Sequence, residues 1–235
     1  MDADVNKTGF LALTSEPREG AQMDSIRQWW IEEKLKKTAE KLEAHDFKAL
    51  LVQNKKEAAE EIWRHILPGK SIGVGGSLTI RDLGILDQLR SKGHTVFDHW
   101  KAGLSQEESL EIRKSQMTCD LFLSSVNAVT INGELINIDG NGNRVNADNF
   151  GPGMVILVVG MNKVVEDVQE GIKRVKNVAA PLNARRLNVD VPCAKIGKCT
   201  DCNSPNRICR VVTILERKPS LTDMLVILVA EELGF

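Results

Sequence analysis

Tyrosine is missing from this chain altogether and aromatic residues make up only 4% of it, so stacked bases would find few platforms. Positive charge is not in excess either. The 31 Lys+Arg stand against 32 Asp+Glu, a formal net charge of −1, which leaves no basic field for tracking a phosphate backbone. No nucleic acid is therefore expected as a partner. Long apolar runs are lacking as well: the most nearly continuous, Met224 to Ala230, falls far short of the roughly 20 residues that cross a bilayer. No apolar leader with a cleavage-type end opens the chain. The expectation is a cytoplasmic protein with no membrane span. What is present, 235 residues that are 42% hydrophobic, suffices to close the core of one domain.

Residues 1–22 mix Thr, Ser, Pro, Gly and charges without an apolar period and read as a loose N-terminal extension, with Met23 as an alternative start. Residues 23–235 then read as a single domain. Ile26, Trp30, Leu35, Ala39 and Leu42 form a helical stripe that predicts a long amphipathic helix over 24–45. Trp29 and Trp30 should anchor it to the body or to a partner. Short apolar runs then alternate with helical patterns: strands at 47–52, 70–75, 94–97 and 120–124, helices at 54–67, 77–90 and 105–117, the last opened by the capping box Ser105-x-x-Glu108. This alternation predicts an α/β fold, a mostly parallel Rossmann-like sheet covered by helices, whose ligands sit beyond the carboxyl ends of the strands. Around 127–138 two short β runs flank Asn132-Gly133, which predicts a small antiparallel hairpin insertion with positive φ at both turn residues. A strand at 154–159, a helix at 164–179, a short second helix from Pro181, a cysteine-rich loop and strands at 211–215 and 224–230 complete the pattern.

Three stretches carry candidate chemistry. In Gly73-Val-Gly75-Gly76-Ser77-Leu-Thr79 a strand gives way to a helix, so backbone amides of Gly75 and Gly76 and the hydroxyls of Ser77 and Thr79 can face an anion. The same glycines also suit a tight packing turn. In Asp139-Gly-Asn141-Gly-Asn143-Arg144 a carboxylate, two amides and a guanidinium gather on a permissive backbone. That loop either borders a polar ligand or closes on itself as an Asx-type turn. A calcium loop is disfavoured, because the later Glu is missing.

The cysteines are the sharpest signal. Of five, Cys119 stands apart as a buried, inert thiol, while Cys193, Cys199, Cys202 and Cys209 share one polar loop at intervals of five, two and six residues. Four thiolates suit an iron–sulfur cluster or zinc, and the spacing does not decide between them. Lys195, Lys198, Arg207 and Arg210 are expected to depress the thiol pKa values. A regulatory dithiol and unpaired structural thiols are the alternatives. The four histidines show no pairing, and Glu134 beside the hairpin turn is the acidic residue to inspect first as a catalytic base.

From about Ser25 to Phe235 the chain resembles the LUD-domain family, the lactate-utilisation proteins. The residues that carry this are Gly73 to Thr79, Gly133 to Arg144, Gly160-Met-Asn-Lys163, Ala180-Pro-Leu-Asn-Ala-Arg-Arg-Leu187, the cysteine loop and the closing Glu232-Leu-Gly-Phe235. The resemblance implies a fold similar to glucosamine-6-phosphate deaminase, ribose-5-phosphate isomerase and the CoA transferases. It also implies that Gly75, Gly76, Ser77 and Thr79 form the ligand loop, with Asp139, Asn141, Asn143 and Arg144 on the same cleft. Family members serve in multi-subunit iron–sulfur systems that oxidise L-lactate to pyruvate, so an oxidoreductase subunit with partner subunits is implied. Here Arg144 would clamp a small carboxylate. The cluster-binding segments appended to larger members are missing from this chain. Two other readings stand beside that one: a phosphosugar- or acyl-ligand-binding protein with structural zinc, and a regulatory ligand-sensing module.

Overall fold

The computed structural model describes residues 18–235. The expected N-terminal extension falls mostly outside them, and the first helix, α1 (Arg18–Ala44), opens ahead of Asp24. The remaining elements follow in chain order: β1 (Lys48–Val52), α2 (Lys55–Arg64), β2 (Ile72–Val74), α3 (Leu78–Asp82), α4 (Leu86–Ser91), β3 (Val96–Asp98), α5 (Gln106–Gln116), β4 (Leu121–Ser124), β5 (Ala128–Thr130), β6 (Leu135–Asp139), α6 (Asn143–Asn149), β7 (Met154–Gly160), β8 (Val164–Val165), α7 (Val168–Arg174), α8 (Ala180–Arg186), α9 (Pro192–Ile196), β9 (Val211–Leu215) and β10 (Asp223–Val229). No helix among the described residues is long and apolar enough to cross a membrane.

Six strands form one sheet in the order β1-β10-β7-β4-β2-β3, every neighbouring pair parallel. Parallel strands must be covered on both faces, and β7 shows how the sequence arranges this. Val155, Leu157 and Val159 enter one core with Ile31, Leu35 and Leu42 of α1. Ile156 and Val158 enter the other, with Ala58 and Ile62 of α2, Ile80 of α3 and Leu86 and Leu89 of α4. The α1 stripe differs from the expected one. Ile31, Leu35, Thr38 and Leu42 are buried, whereas Ile26, Trp29 and Trp30 lie exposed, so the tryptophans do not anchor the helix to the body.

A second sheet, β8-β5-β6-β9, is mixed: β5 runs parallel to β8, and β6 antiparallel to both β5 and β9. It contains the expected hairpin, though with a different turn. Only Gly133 takes positive φ (+91°), and its N–H bonds Thr130 O at 3.0 Å. This is the three-residue connection of a type I turn followed by a left-handed glycine. A side chain at Gly133 would strike the Lys41 backbone of α1 at 2.9 Å. The close approach of turn and helix therefore requires glycine.

Two helical expectations change. The stretch 77–90 breaks into α3 and α4 at Gly84, whose φ is +67°. In place of a helix at 164–179 and a separate one from Pro181, Val164 pairs into β8 and one helical run spans α7 and α8, joined by a π turn over Val175–Ala179. Proline lacks an N–H, and the widened turn accommodates that loss. α6 and α9 stand where loops were expected.

Candidate functional site

A cleft of about 500 Å³ opens beyond the carboxyl ends of the large sheet. Its floor is set by the first residues after four strands: Gly76 and Ser77 after β2, His99 and Trp100 after β3, Ser125 to Asn127 after β4, and Lys163 after β7. Because β2 leads outward to β3 while β4 lies on its other side, this is where the winding of the sheet reverses, the place where α/β sheets take ligands. The π turn and α8 form one wall. Pro205 to Arg210 of the cysteine loop form another.

Lys163 sits at the base of the cleft with 3% of its surface exposed. Its Nζ donates to Thr79 Oγ1 at 2.7 Å and Ser125 Oγ at 2.9 Å. Both hydroxyls have their own protons committed, Thr79 to Leu233 O at 3.3 Å and Ser125 to Val126 O at 3.3 Å, so they act as acceptors toward the amine. No carboxylate among the described residues pairs with Lys163. Burial, helped by the charges of Arg174 and Arg144 and opposed by Asp82, lowers its pKa to about 7. A neutral amine bound in this way keeps a lone pair for a proton.

Arg144 is buried at the same end, and the structure gives it a different part from the expected clamp. Nη1 donates to Ser125 O (3.1 Å) and Asn137 Oδ1 (2.6 Å), Nη2 to Asn127 Oδ1 (3.2 Å) and Ile138 O (3.0 Å), and Nε lies 3.4 Å from Asp139 Oδ2. With all of its N–H groups directed at the protein, the guanidinium fastens the end of β4 to β6. It offers a ligand charge but no spare fork. Asp139 closes its own turn, accepting from Asn141 N (2.9 Å) and Gly142 N (2.8 Å). Beneath them Asp148 has no surface to speak of, and burial pushes its carboxyl up to about 7 despite the opposing Arg144 charge.

The glycine turn is likewise partly self-satisfied. Gly75 N–H bonds Leu123 O at 2.9 Å, Ser77 N–H bonds Gly75 O at 2.7 Å, and Ser77 Oγ caps Ile80 N–H of α3 at 3.4 Å. Gly76 N–H has no acceptor among the described residues. A Cβ at Gly76 would come within 3.3 Å of Trp100 Nε1 and 3.4 Å of His99 Nε2, so both rings lie close against the turn and a larger residue would crowd them.

Sequence reasoning missed this second cluster. Gln116 Nε2 donates to Val74 O (2.8 Å) and Phe97 O (2.9 Å) and meets His99 Nδ1 at 2.9 Å. Burial, together with the Arg113 charge, lowers the His99 pKa to about 4. The Arg81 and Arg186 guanidiniums each lie 4.4 Å from the Trp100 ring centroid. Arg81 is also tied to Asp98 at 2.7 Å, whereas Arg113 and Arg186, which line the cleft, have no carboxylate partner among the described residues.

All the residues expected to bind ligand except Gly75 line the cleft. Glu134 does not: its carboxylate accepts from Thr130 Oγ1 across the hairpin turn. Lys163 was present in the Gly160-Met-Asn-Lys163 motif. The signal that could have singled it out is a lysine three residues past the end of the apolar strand β7, at a carboxyl end.

Cys193, Cys199, Cys202 and Cys209 are unpaired and partly exposed, and Cys209 reaches the cleft wall. Burial and then the other three thiols raise the Cys193 pKa, the reverse of the depression expected from nearby cations. The two arginines serve the backbone instead, Arg207 donating to Cys209 O (2.8 Å) and Cys202 O (2.9 Å) and Arg210 to Arg207 O (2.9 Å) and Pro205 O (2.7 Å), while Lys195 pairs with Asp190 at 2.7 Å. The donor set suits a thiophilic metal, but among the described residues no three His, Cys, Asp or Glu converge on a point that could hold one. As arranged, the thiols do not fit a cluster. Cys119 is buried, with its pKa pushed up to about 11, in keeping with an inert thiol.

With this geometry in place, comparison with known proteins adds a family. The LUD domain family model matches residues 35–229, and the chain belongs to that family. A DUF162 family protein from Deinococcus radiodurans, known from its crystal structure, is similar at 17% identity and a TM-score of 0.48, covering 85% of this chain and 98% of its own. No curated protein matches.

Proposed function

We propose that the cleft binds a small 2-hydroxy acid, L-lactate being the simplest member, and that the chain is a subunit of an assembly that oxidises it to the 2-oxo acid, pyruvate. The observation that carries this reading is Lys163, a buried amine on two committed hydroxyls with its pKa near 7. Oxidation of a hydroxy acid removes a proton from the hydroxyl and a hydrogen with two electrons from the carbon. Lys163 takes the first, acting as general base at the pH where such a base is most effective. The hydrogen and electron pair pass to a two-electron acceptor carried by a partner subunit.

The chain's own residues bind and orient. Arg113, Arg186 and Arg210 line the cleft without carboxylate partners and draw the substrate anion in. Thr79 and Ser125 aim the amine, and Arg144 sets the field at the same end. Membership of the family supports lactate as the first substrate to try. Iron–sulfur or zinc ligation by Cys193, Cys199, Cys202 and Cys209 is supported by the donor set alone, and no part of the proton transfer depends on it.

The test is calorimetric titration of L-lactate and pyruvate, followed by lactate-dependent reduction of a dye acceptor with the chain alone and with partner subunits added. Binding, and turnover that Lys163→Met abolishes, is the expected result. Failure to bind any 2-hydroxy or 2-oxo acid, or full turnover by Lys163→Met, would overturn the reading.

A further inference from the structure

Around Gly76 the cleft presents hydrogen-bond donors and almost nothing else. Gly76 N–H and Trp100 Nε1–H have no acceptor among the described residues. His99 lines the same corner, its Nε2 within 3.4 Å of where a Gly76 Cβ would stand. Arg113 Nη1 is held by Ser109, which leaves Nη2. Arg186 spends Nε and Nη2 on Asn183 Oδ1 at 3.1 and 2.8 Å, which leaves Nη1. The nearby carboxylate, Asp98, is already shared by Arg81, Arg90 and Trp100 N.

Four donor groups, two of them guanidiniums that make no ion pair among the described residues, bring more charge than one carboxylate neutralises. A phosphate monoester brings about two charges and three terminal oxygens. The size of the cleft, about 500 Å³, also exceeds what a three-carbon acid fills. Of the glycine turn only Gly76 contributes, because Gly75 and Ser77 have spent their amides and α3 is a single short turn.

We infer that Gly76, His99, Trp100, Arg113 and Arg186 form a phosphate subsite, and that the substrate is a phosphorylated hydroxy acid whose phosphate rests there while its hydroxyl meets Lys163. This rests on the cleft being the substrate site, as proposed above, and names the class of substrate. Different charges dominate the two ends: Arg113, Asp98 and Arg81 act on His99, and Arg174, Arg144 and Asp82 on Lys163, with Asp139 reaching Arg113 between them. Lactate would occupy only the Lys163 end.

The probes are inorganic phosphate, 3-phosphoglycerate, D-glycerate and L-lactate, titrated calorimetrically into the full chain. The expected order is 3-phosphoglycerate at least about tenfold tighter than D-glycerate, with Arg113→Gln and Arg186→Gln each weakening phosphate and 3-phosphoglycerate by about tenfold or more. Lys163→Met should keep its affinity for inorganic phosphate. Phosphate should also raise the His99 pKa from about 4, read by NMR of the imidazole. That shift distinguishes a phosphate on the ring from a fold change in the Arg variants, whose melting curves are recorded alongside. Equal affinity for 3-phosphoglycerate and D-glycerate, an unmoved His99, or phosphate binding lost in Lys163→Met but kept in Arg113→Gln would each overturn the subsite. Lactate turnover without phosphate binding would do so while leaving Lys163 as base, whereas phosphate binding with no turnover of any hydroxy acid would remove the base and leave the subsite.

Discussion

Lys163 Nζ lies 2.7 Å from Thr79 Oγ1, joining the residue that follows the central strand β7 to the helix that follows β2. The contact crosses the point where the sheet reverses its winding, and it places a buried amine where a substrate hydroxyl can reach. A base must be neutral to act, and the Lys163 pKa is lowered to about 7. The rate at low substrate should therefore climb tenfold per pH unit below about 7 and level off above it. Lys163→Met should lower turnover by about 10² or more, and a pH–rate profile of both proteins checks it.

The same lysine makes a prediction about stability. Its folded pKa lies below the ordinary value of 10.5, so between about 7 and 10.5 the unfolded chain binds the extra proton and stability rises with pH. Below 7 both states are charged and the cost of burying the ammonium is fully present. Lys163→Met should therefore gain melting temperature over the parent near pH 6, and that advantage should shrink steadily toward pH 10. A constant difference across the range would show that the amine does not titrate on folding.

Asp148 runs the other way. Burial raises its carboxyl to about 7 from 3.8, Oδ1 has no partner, and Asn137 Nδ2 meets Oδ2 only at 3.3 Å. The folded chain holds the proton between those values, so this contribution is present below about 4 and is lost as pH rises through 7. Asp148→Asn keeps the shape and removes the charge. Thermal melts should show it more stable than the parent at pH 8, by roughly 1–3 kcal/mol, with the difference vanishing near pH 4.

Arg144 was expected to hold a ligand and instead holds the fold. Lysine cannot replace a guanidinium that reaches Ser125 O, Asn137, Asn127 and Ile138 O together. Arg144→Lys should destabilise the chain by roughly 2–4 kcal/mol, because two carbonyls and two amides lose their donors at once. Chemical denaturation measures this directly. A variant of unchanged stability with weakened ligand binding would return Arg144 to the role of clamp.

The parallel sheet was legible because its strands are short apolar runs cut by Pro68-Gly69, Gly93 and the capping box at Ser105, and the central ones, β4, β7 and β10, are buried on both faces. Element ends were harder. Pro181 reads as the start of a helix, yet a π turn carries the chain straight through it. At the site, contiguous motifs were visible: Gly76, Ser77, Thr79, Asp139, Asn141, Asn143 and Arg144 do line one cleft. What they do there was not visible, since Asp139 and Ser77 satisfy their own backbone. Lys163, His99, Arg113 and Arg186 come from four separate elements. No spacing rule joins them, because only the strand order brings them together.

The cysteine loop gives the last test. Arg207 binds Cys202 O and Cys209 O, so backbone and guanidinium, rather than sulfur, fix the wall that Cys209 shares with the cleft. Thiolates held by a metal would leave this loop dependent on it, whereas an arginine-held loop stands without one. Elemental analysis and a visible spectrum after anaerobic purification distinguish the two. About four iron and four sulfide per chain, lost in Cys199→Ala with Cys202→Ala together with several degrees of melting temperature, is the outcome expected of an iron–sulfur subunit; one zinc without colour would make the loop structural. If the double variant keeps its melting point and no metal is found, Arg207→Met should be the change that loosens the wall and weakens ligand binding, because that side chain joins Cys202 O to Cys209 O across the loop.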